Sequence, residues 1–75
     1  MARYFTIVVT DENGYPKKGQ KVKQWDKPEV LTDEKGEAIV MVDGSDTLDV
    51  YVNGMRKFNG DSSSSSLPKK IIVSI

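Results

Sequence analysis

The stretch TDENG, at residues 10–14, returns as TDEKG at residues 32–36, which is 22 positions further along the chain. Each copy follows a short run that is rich in apolar and β-branched residues. In such a motif the aspartate carboxylate accepts backbone N–H groups of the turn, and glycine supplies a positive φ without steric cost. The repeat therefore predicts two β-hairpin turns and, with them, a small all-β domain.

Outside these two motifs, the chain divides into short strand-like runs that are separated by turn residues. Asn53-Gly54 is the strongest two-residue hairpin signal in the sequence. A helix of normal length fits nowhere, because glycine, proline or a turn pair interrupts the chain about every ten residues. Turn spacing of this kind is typical of a sandwich or a barrel. The predicted strands cover residues 4–10, 19–25, 29–32, 37–42, 47–52, 55–58 and 69–75.

Composition limits what this chain can do. Its 75 residues predict one domain over 1–75, close to the lower size limit for a self-sufficient core. Cysteine and histidine are both absent, which argues against an enzyme, a thiolate metal site and a bound cofactor. Eleven basic and eleven acidic residues cancel, so no nucleic-acid partner is expected. No run is long enough to span a bilayer, and no membrane partner is expected either.

Two further features bear on organisation and location. Five consecutive serines, residues 62–66, offer no apolar surface, and they predict a flexible loop over residues 59–68. Residues 1–3 lead directly into the first predicted strand without a signal peptide. The expected location is cytoplasmic or virion-associated if the chain is full length, and extracellular if it is a fragment.

Strand alternation assigns one set of apolar residues to the core and leaves further apolar residues on the outer side of their strands. A half-buried strand is normally polar on its outer side, yet two strands here are apolar on both sides. Either another subunit covers the second side, or a loop or the C-terminal strand does; for so small a chain self-association is favoured. The predicted core residues are Phe5, Ile7, Val9, Ala38, Val40, Val42, Leu48, Val50 and Val52. The predicted interface residues are Tyr4, Val8, Ile39, Met41 and Tyr51.

Candidate ligand sites are few. The acidic turn at Asp11 and Asn13 lacks the third spaced ligand and the bidentate glutamate of a calcium loop, so a structural turn is favoured over a metal site. Trp25 suits stacking on a sugar or a base, although such a tryptophan more often covers one end of a small core. Arg56 and Lys57 suit an anion, with solvated surface charges as the default interpretation. Trp25, Arg56 and Lys57 are therefore the predicted ligand-binding residues.

The order of motifs resembles the carboxypeptidase regulatory-like domain, a prealbumin-like (transthyretin-like) module. The resemblance runs through VTDENGYPKKGQKV at 9–22, TDEKGEAIV at 32–40 and LDVYVNG at 48–54. Ala38 stands where that family usually has a large aromatic residue, and Met55 where a tyrosine commonly follows the glycine. The resemblance implies an Ig-like β-sandwich of about seven short antiparallel strands, and a module that positions, assembles or adheres.

The expected function is accordingly a non-catalytic structural or assembly module that acts through protein–protein contacts, in a virion or a surface appendage. The alternative is a small-ligand module, binding a nucleotide or a carbohydrate at a site formed between subunits.

Overall fold

The computed structural model describes residues 2–24, 27–43, 47–61 and 68–75. These residues form an all-β compact domain in which seven strands build two sheets in a sandwich-like arrangement. This confirms the predicted fold class. The strands are β1 (Ala2–Thr10), β2 (Lys21–Gln24), β3 (Val30–Leu31), β4 (Glu37–Asp43), β5 (Thr47–Val52), β6 (Met55–Asp61) and β7 (Lys70–Ser74).

The chain crosses repeatedly between the two sheets. One sheet has three strands in the order β4-β1-β7, and the other has four in the order β3-β2-β5-β6. All pairs are antiparallel except β1 with β7, which run parallel, whereas the sequence predicted antiparallel strands throughout. The parallel pair arises because β7 follows a crossover from the four-stranded sheet and does not follow a hairpin next to β1.

The core lies between the two sheets, and its residues confirm the inward-facing positions that alternation predicted. In the register of β1 with β4, Phe5 lies opposite Val40 and Ile7 opposite Ala38, and all four are buried. Every residue of the predicted core is buried, and the last strand adds Ile71 and Val73. Each large apolar side chain withdrawn from water contributes roughly 1.5–3 kcal/mol, so this cluster is the main stabilising element of so small a domain.

The first acidic motif forms a tight turn held by its aspartate. Asp11 Oδ1 accepts the backbone N–H groups of Asn13 at 2.9 Å and Tyr15 at 3.0 Å. The carbonyl of Asp11 accepts the N–H of Gly14 at 3.0 Å, and Gly14 has a φ of 87°. The predicted turn and the predicted positive φ are both confirmed here.

The second motif repeats this geometry. Asp33 Oδ1 accepts the N–H groups of Lys35 at 2.9 Å and Glu37 at 3.0 Å, and Gly36 has a φ of 72°. Immediately before this turn lies Thr32, which is buried. Its hydroxyl accepts the N–H of Gln20 at 2.9 Å and donates to the Lys17 carbonyl at 2.6 Å, fastening the turn to the loop that precedes β2.

The predicted pairing across these two turns is wrong. β1 and β2 flank the first turn but belong to different sheets, and so do β3 and β4, which flank the second. After the first turn the chain forms only a single bridge, Thr10 with Pro16, before it leaves the sheet. The motifs set a local chain reversal, while the burial of both apolar faces decides which strands pair.

Asn53-Gly54, in contrast, does close a hairpin within one sheet, between β5 and β6. Asn53 has a φ of 52° and Gly54 of 87°, the signs that a type I′ turn requires at both central positions. The Asn53 side chain also accepts the N–H of Lys21 at 3.1 Å and donates to Gln20 Oε1 at 2.9 Å, which ties the hairpin to β2.

The remaining differences concern strand ends. β6 extends to Asp61, so residues 59–61, which were predicted as part of the serine loop, are strand. The serines themselves and residue 67 lie outside the described residues. Within the described ranges, no helix has the length and hydropathy needed to cross a membrane.

Candidate functional site

The outer side of the three-stranded sheet carries an apolar surface, here called the apolar face. In the strand register, Tyr4 lies opposite Met41, and Val8 lies opposite Ile72 of β7. Tyr4, Ile39 and Ile72 are 63%, 65% and 68% exposed, so the described part of the chain leaves them uncovered. The apolar face consists of Tyr4, Val8, Ile39, Met41 and Ile72.

The polar groups on this side are few and balanced. Thr6 lies between Ile39 and Lys70 in the register, and Lys70 Nζ lies 3.6 Å from Glu37 Oε2. That ion pair joins the two outer strands of the sheet over β1. Among the described side chains, the face thus combines its apolar residues with Thr6 and one ion pair, and β7 extends it at the edge instead of covering it.

The structure does not bring all five predicted interface residues together. Tyr4, Val8, Ile39 and Met41 share the apolar face, but Tyr51 lies on β5, in the other sheet. Alternation tells which side of its own strand a residue occupies, and it does not tell which of two sheets the strand joins. Ile72 was missed, although its place between the buried Ile71 and Val73 is a period-two signal.

Tyr51 instead belongs to a groove on the outer side of the four-stranded sheet. The groove has a volume of about 290 Å³. Lys23 lies opposite Tyr51 on β2, and Arg56 lies opposite it on β6, so one row across three strands carries an aromatic ring between two cations. The residues that line this groove, here called the basic groove, are Lys21, Lys23, Glu29, Tyr51 and Gly54.

The Arg56 guanidinium lies over the ring of Tyr51. Its guanidinium carbon lies 5.9 Å from the ring centroid, and its Nε lies 4.0 Å from Asp49 Oδ1. A hydrogen bond with the Tyr51 side chain is the main cause that raises the pKa of Arg56 above its ordinary value, and the charge of Asp49 acts in the same direction. Lys57 is half-buried at the β-bulge that follows Arg56. Of the three residues predicted to bind a ligand, the structure thus places Arg56 beside the basic groove, while Trp25 lies outside the described residues.

The two acidic turns use their carboxylates internally. The backbone N–H of Tyr15 is the main cause that lowers the pKa of Asp11 below its ordinary 3.8, and the backbone N–H of Glu37 does the same for Asp33. Lys17 Nζ also lies 3.6 Å from Asp11 Oδ2. Among the described residues, no group of three or more acidic, histidine or cysteine side chains is placed to hold a metal ion.

Comparison of the chain with models of protein families, with curated proteins and with solved structures finds no match.

Proposed function

We propose that the chain is a non-catalytic assembly module that associates with a second copy of itself through the apolar face. The observation that carries the proposal is the set of five apolar side chains that three neighbouring strands place on one outer side, around Thr6. A monomeric domain normally keeps the outer side of such a sheet polar, and a contiguous apolar patch marks an interaction site.

Charge favours a second copy as the occupant. The chain has a formal net charge of zero, so two copies approach without long-range repulsion. The apolar face carries both members of an ion pair, Glu37 and Lys70. A two-fold interface places the same patch on both sides, and each Glu37 can then meet the Lys70 of the other copy.

The free energy gained by burying the apolar face is comparable with the free-energy cost of association. Full burial of one large apolar side chain contributes roughly 1.5–3 kcal/mol, while association costs roughly 4–15 kcal/mol in lost freedom. Tyr4, Ile39 and Ile72 are each more than half exposed, and a two-fold contact buries these side chains from both copies. The burial of these six side chains contributes free energy of the same order as that cost, which fits reversible association.

The finer fold assignment is part of the same proposal. The resemblance of the motif order to the carboxypeptidase regulatory-like domain supports a prealbumin-like module within the all-β sandwich. A setting in a virion or a surface appendage rests on that resemblance alone.

The test is the oligomeric state of Ile39→Lys, with Met55→Lys as the matched control. Ile39 and Met55 are 65% and 62% exposed, but Met55 lies in the four-stranded sheet. In sedimentation velocity over a range of concentrations, wild type and Met55→Lys should associate, and Ile39→Lys should remain a folded monomer. A wild-type chain that is monomeric at every concentration, or an Ile39→Lys variant that associates as wild type does, would contradict the proposal.

A further inference from the structure

We propose that the basic groove binds a nucleoside monophosphate, with the base against the ring of Tyr51 and the phosphate on the ammonium groups of Lys21 and Lys23. This site lies on the four-stranded sheet, and therefore on the opposite side of the molecule from the apolar face. The inference does not depend on self-association, since the lining residues all come from one copy.

The first argument is the positive charge that lines the groove. Lys21 and Lys23 flank the buried Val22 on β2, so alternation places both side chains on the outer side of the sheet. Neither ammonium lies within ion-pair distance of a carboxylate in the described part of the chain; Lys23 Nζ has the Gln24 carbonyl at 3.4 Å. Two lysines on the same side of β2, neither with a described carboxylate within 4.0 Å, favour an anion that can accept several N–H bonds, as a phosphate does.

Four other cations are balanced locally, since Lys17, Lys18, Arg56 and Lys70 each lie within 4.0 Å of a carboxylate. Lys21 and Lys23 are not members of these ion pairs, and both line the groove.

The second argument is the aromatic wall. Tyr51 is half-buried between Lys23 and Arg56 in the register, and the Arg56 guanidinium carbon lies 5.9 Å from the ring centroid. A half-buried ring has less freedom to lose when a ligand binds than an exposed one, which favours stacking of a flat, polarisable group. A nucleobase is such a group, and stacking on a single aromatic side chain is worth enough to be measurable.

The third argument concerns the volume of the groove and Glu29, the acidic residue that lines it. About 290 Å³ is just below the roughly 300–1,000 Å³ usual for small-molecule sites, which suits a ligand no larger than one nucleotide. Glu29 also lines the groove, and its carboxylate can accept N–H or O–H groups of a base or a ribose. The same carboxylate, with a chain of zero net charge, disfavours a long polyanion such as a nucleic acid.

The experiment is an NMR titration of the ¹⁵N-labelled chain with adenosine monophosphate, with adenosine alone and with inorganic phosphate alone. We expect saturable amide shifts at Lys21, Lys23, Tyr51 and Gly54 with the monophosphate, and binding at least about tenfold weaker with either half. Phosphate that binds as tightly as the nucleotide would overturn the proposal, because the ring would then contribute nothing. Absence of saturable shifts in the groove at about 10 mM nucleotide, a concentration well above that needed for weak binding, would also overturn it.

Single substitutions test which residues contact the nucleotide. Lys23→Gln and Tyr51→Leu should each weaken nucleotide binding by roughly tenfold. Lys35→Gln, the matched control at an exposed lysine of the second acidic turn, should leave the affinity unchanged. The amide spectrum of each variant reports its fold directly. An equal loss in Lys35→Gln, or full affinity in a folded Lys23→Gln, would show that the nucleotide binds elsewhere or only through general charge.

Discussion

At the residue scale, the two glycines of the repeated motif share a backbone conformation but differ in their surroundings. A Cβ built on Gly36 would lie 2.7 Å from the Val9 carbonyl oxygen and 3.0 Å from the Lys17 nitrogen. A Cβ on Gly14 would meet nothing within 4 Å. The second turn packs against the first, with the Val9 N–H donating to the Gly36 carbonyl at 2.8 Å. Only Gly36 is therefore required both for its positive φ and for the close approach of two chain segments.

This difference gives a prediction for paired alanine substitutions. Gly14→Ala should lower the free energy of unfolding by about 1–2 kcal/mol, the cost of a left-handed conformation for an L-residue. Gly36→Ala should lower it by roughly 2–4 kcal/mol, because the methyl group also forces Val9 or Lys17 to move. Urea denaturation of both variants measures the difference. Equal losses would show that the contact at Gly36 relaxes without cost.

At the element scale, each acidic turn is a unit organised by one carboxylate. The charged form of Asp11 or Asp33 accepts two backbone N–H groups, and protonation weakens both bonds together. The pKa of each carboxyl is lower in the folded chain than the ordinary 3.8 expected for the unfolded chain. The stabilisation is thus fully present above about pH 4, and it is lost as the pH falls through the folded-state pKa.

The matching prediction concerns the double variant Asp11→Asn/Asp33→Asn. Asparagine keeps an oxygen acceptor but has no charge, so the variant should be less stable than wild type at pH 7 and should approach it as the pH falls below about 4. Urea midpoints between pH 7 and pH 2.5 measure this convergence. Glu12→Gln/Glu34→Gln removes the same number of charges from the neighbouring positions and should retain the acid sensitivity of the wild type. If the aspartate variant loses stability on acidification as steeply as the control, the turns are not the acid-sensitive elements.

At the scale of the whole molecule, β1 is the centre of the three-stranded sheet, and β7 completes that sheet from the far end of the chain. Thr6 donates its N–H to the Lys69 carbonyl at 2.8 Å, and Ile75 donates to the Thr10 carbonyl at 3.0 Å. Ile71 is 4% exposed, whereas its neighbour Ile72 is 68% exposed. The two ends of the chain are therefore joined through one parallel pair that closes the core.

Adjacent substitutions in β7 test this closure. Ile71→Ala should destabilise the domain by about 2–4 kcal/mol, since it leaves a cavity in the core. Ile72→Ala should change stability by less than about 0.5 kcal/mol in dilute solution, because its side chain is outside the core. Thermal or urea unfolding at low protein concentration measures both. A larger loss in Ile72→Ala than in Ile71→Ala would contradict the register of β7 against β1.

The candidate surfaces show where sequence reasoning succeeds and where it ends. Alternation alone located Tyr4, Ile39 and Met41 on the outer side of their strands, because the side-chain period of a strand is two regardless of its partners. Alternation also placed Tyr51 on the outer side of its strand, but it could not show that this strand belongs to the other sheet. Sheet membership depends on contacts between residues far apart in the sequence.

By itself, the sequence determined the local geometry of this protein: the acid-and-glycine turns, the Asn53-Gly54 hairpin and the inward face of each strand. These features depend on φ preferences, short-range hydrogen bonds and period-two alternation, all of which operate within a few residues. Tertiary structure alone decided that the two acidic turns connect different sheets, that β7 joins β1 in parallel, and that Lys23, Tyr51 and Arg56 form one row. Those choices arise from the burial of two apolar sheet faces against each other, which is a property of the assembled core rather than of any segment.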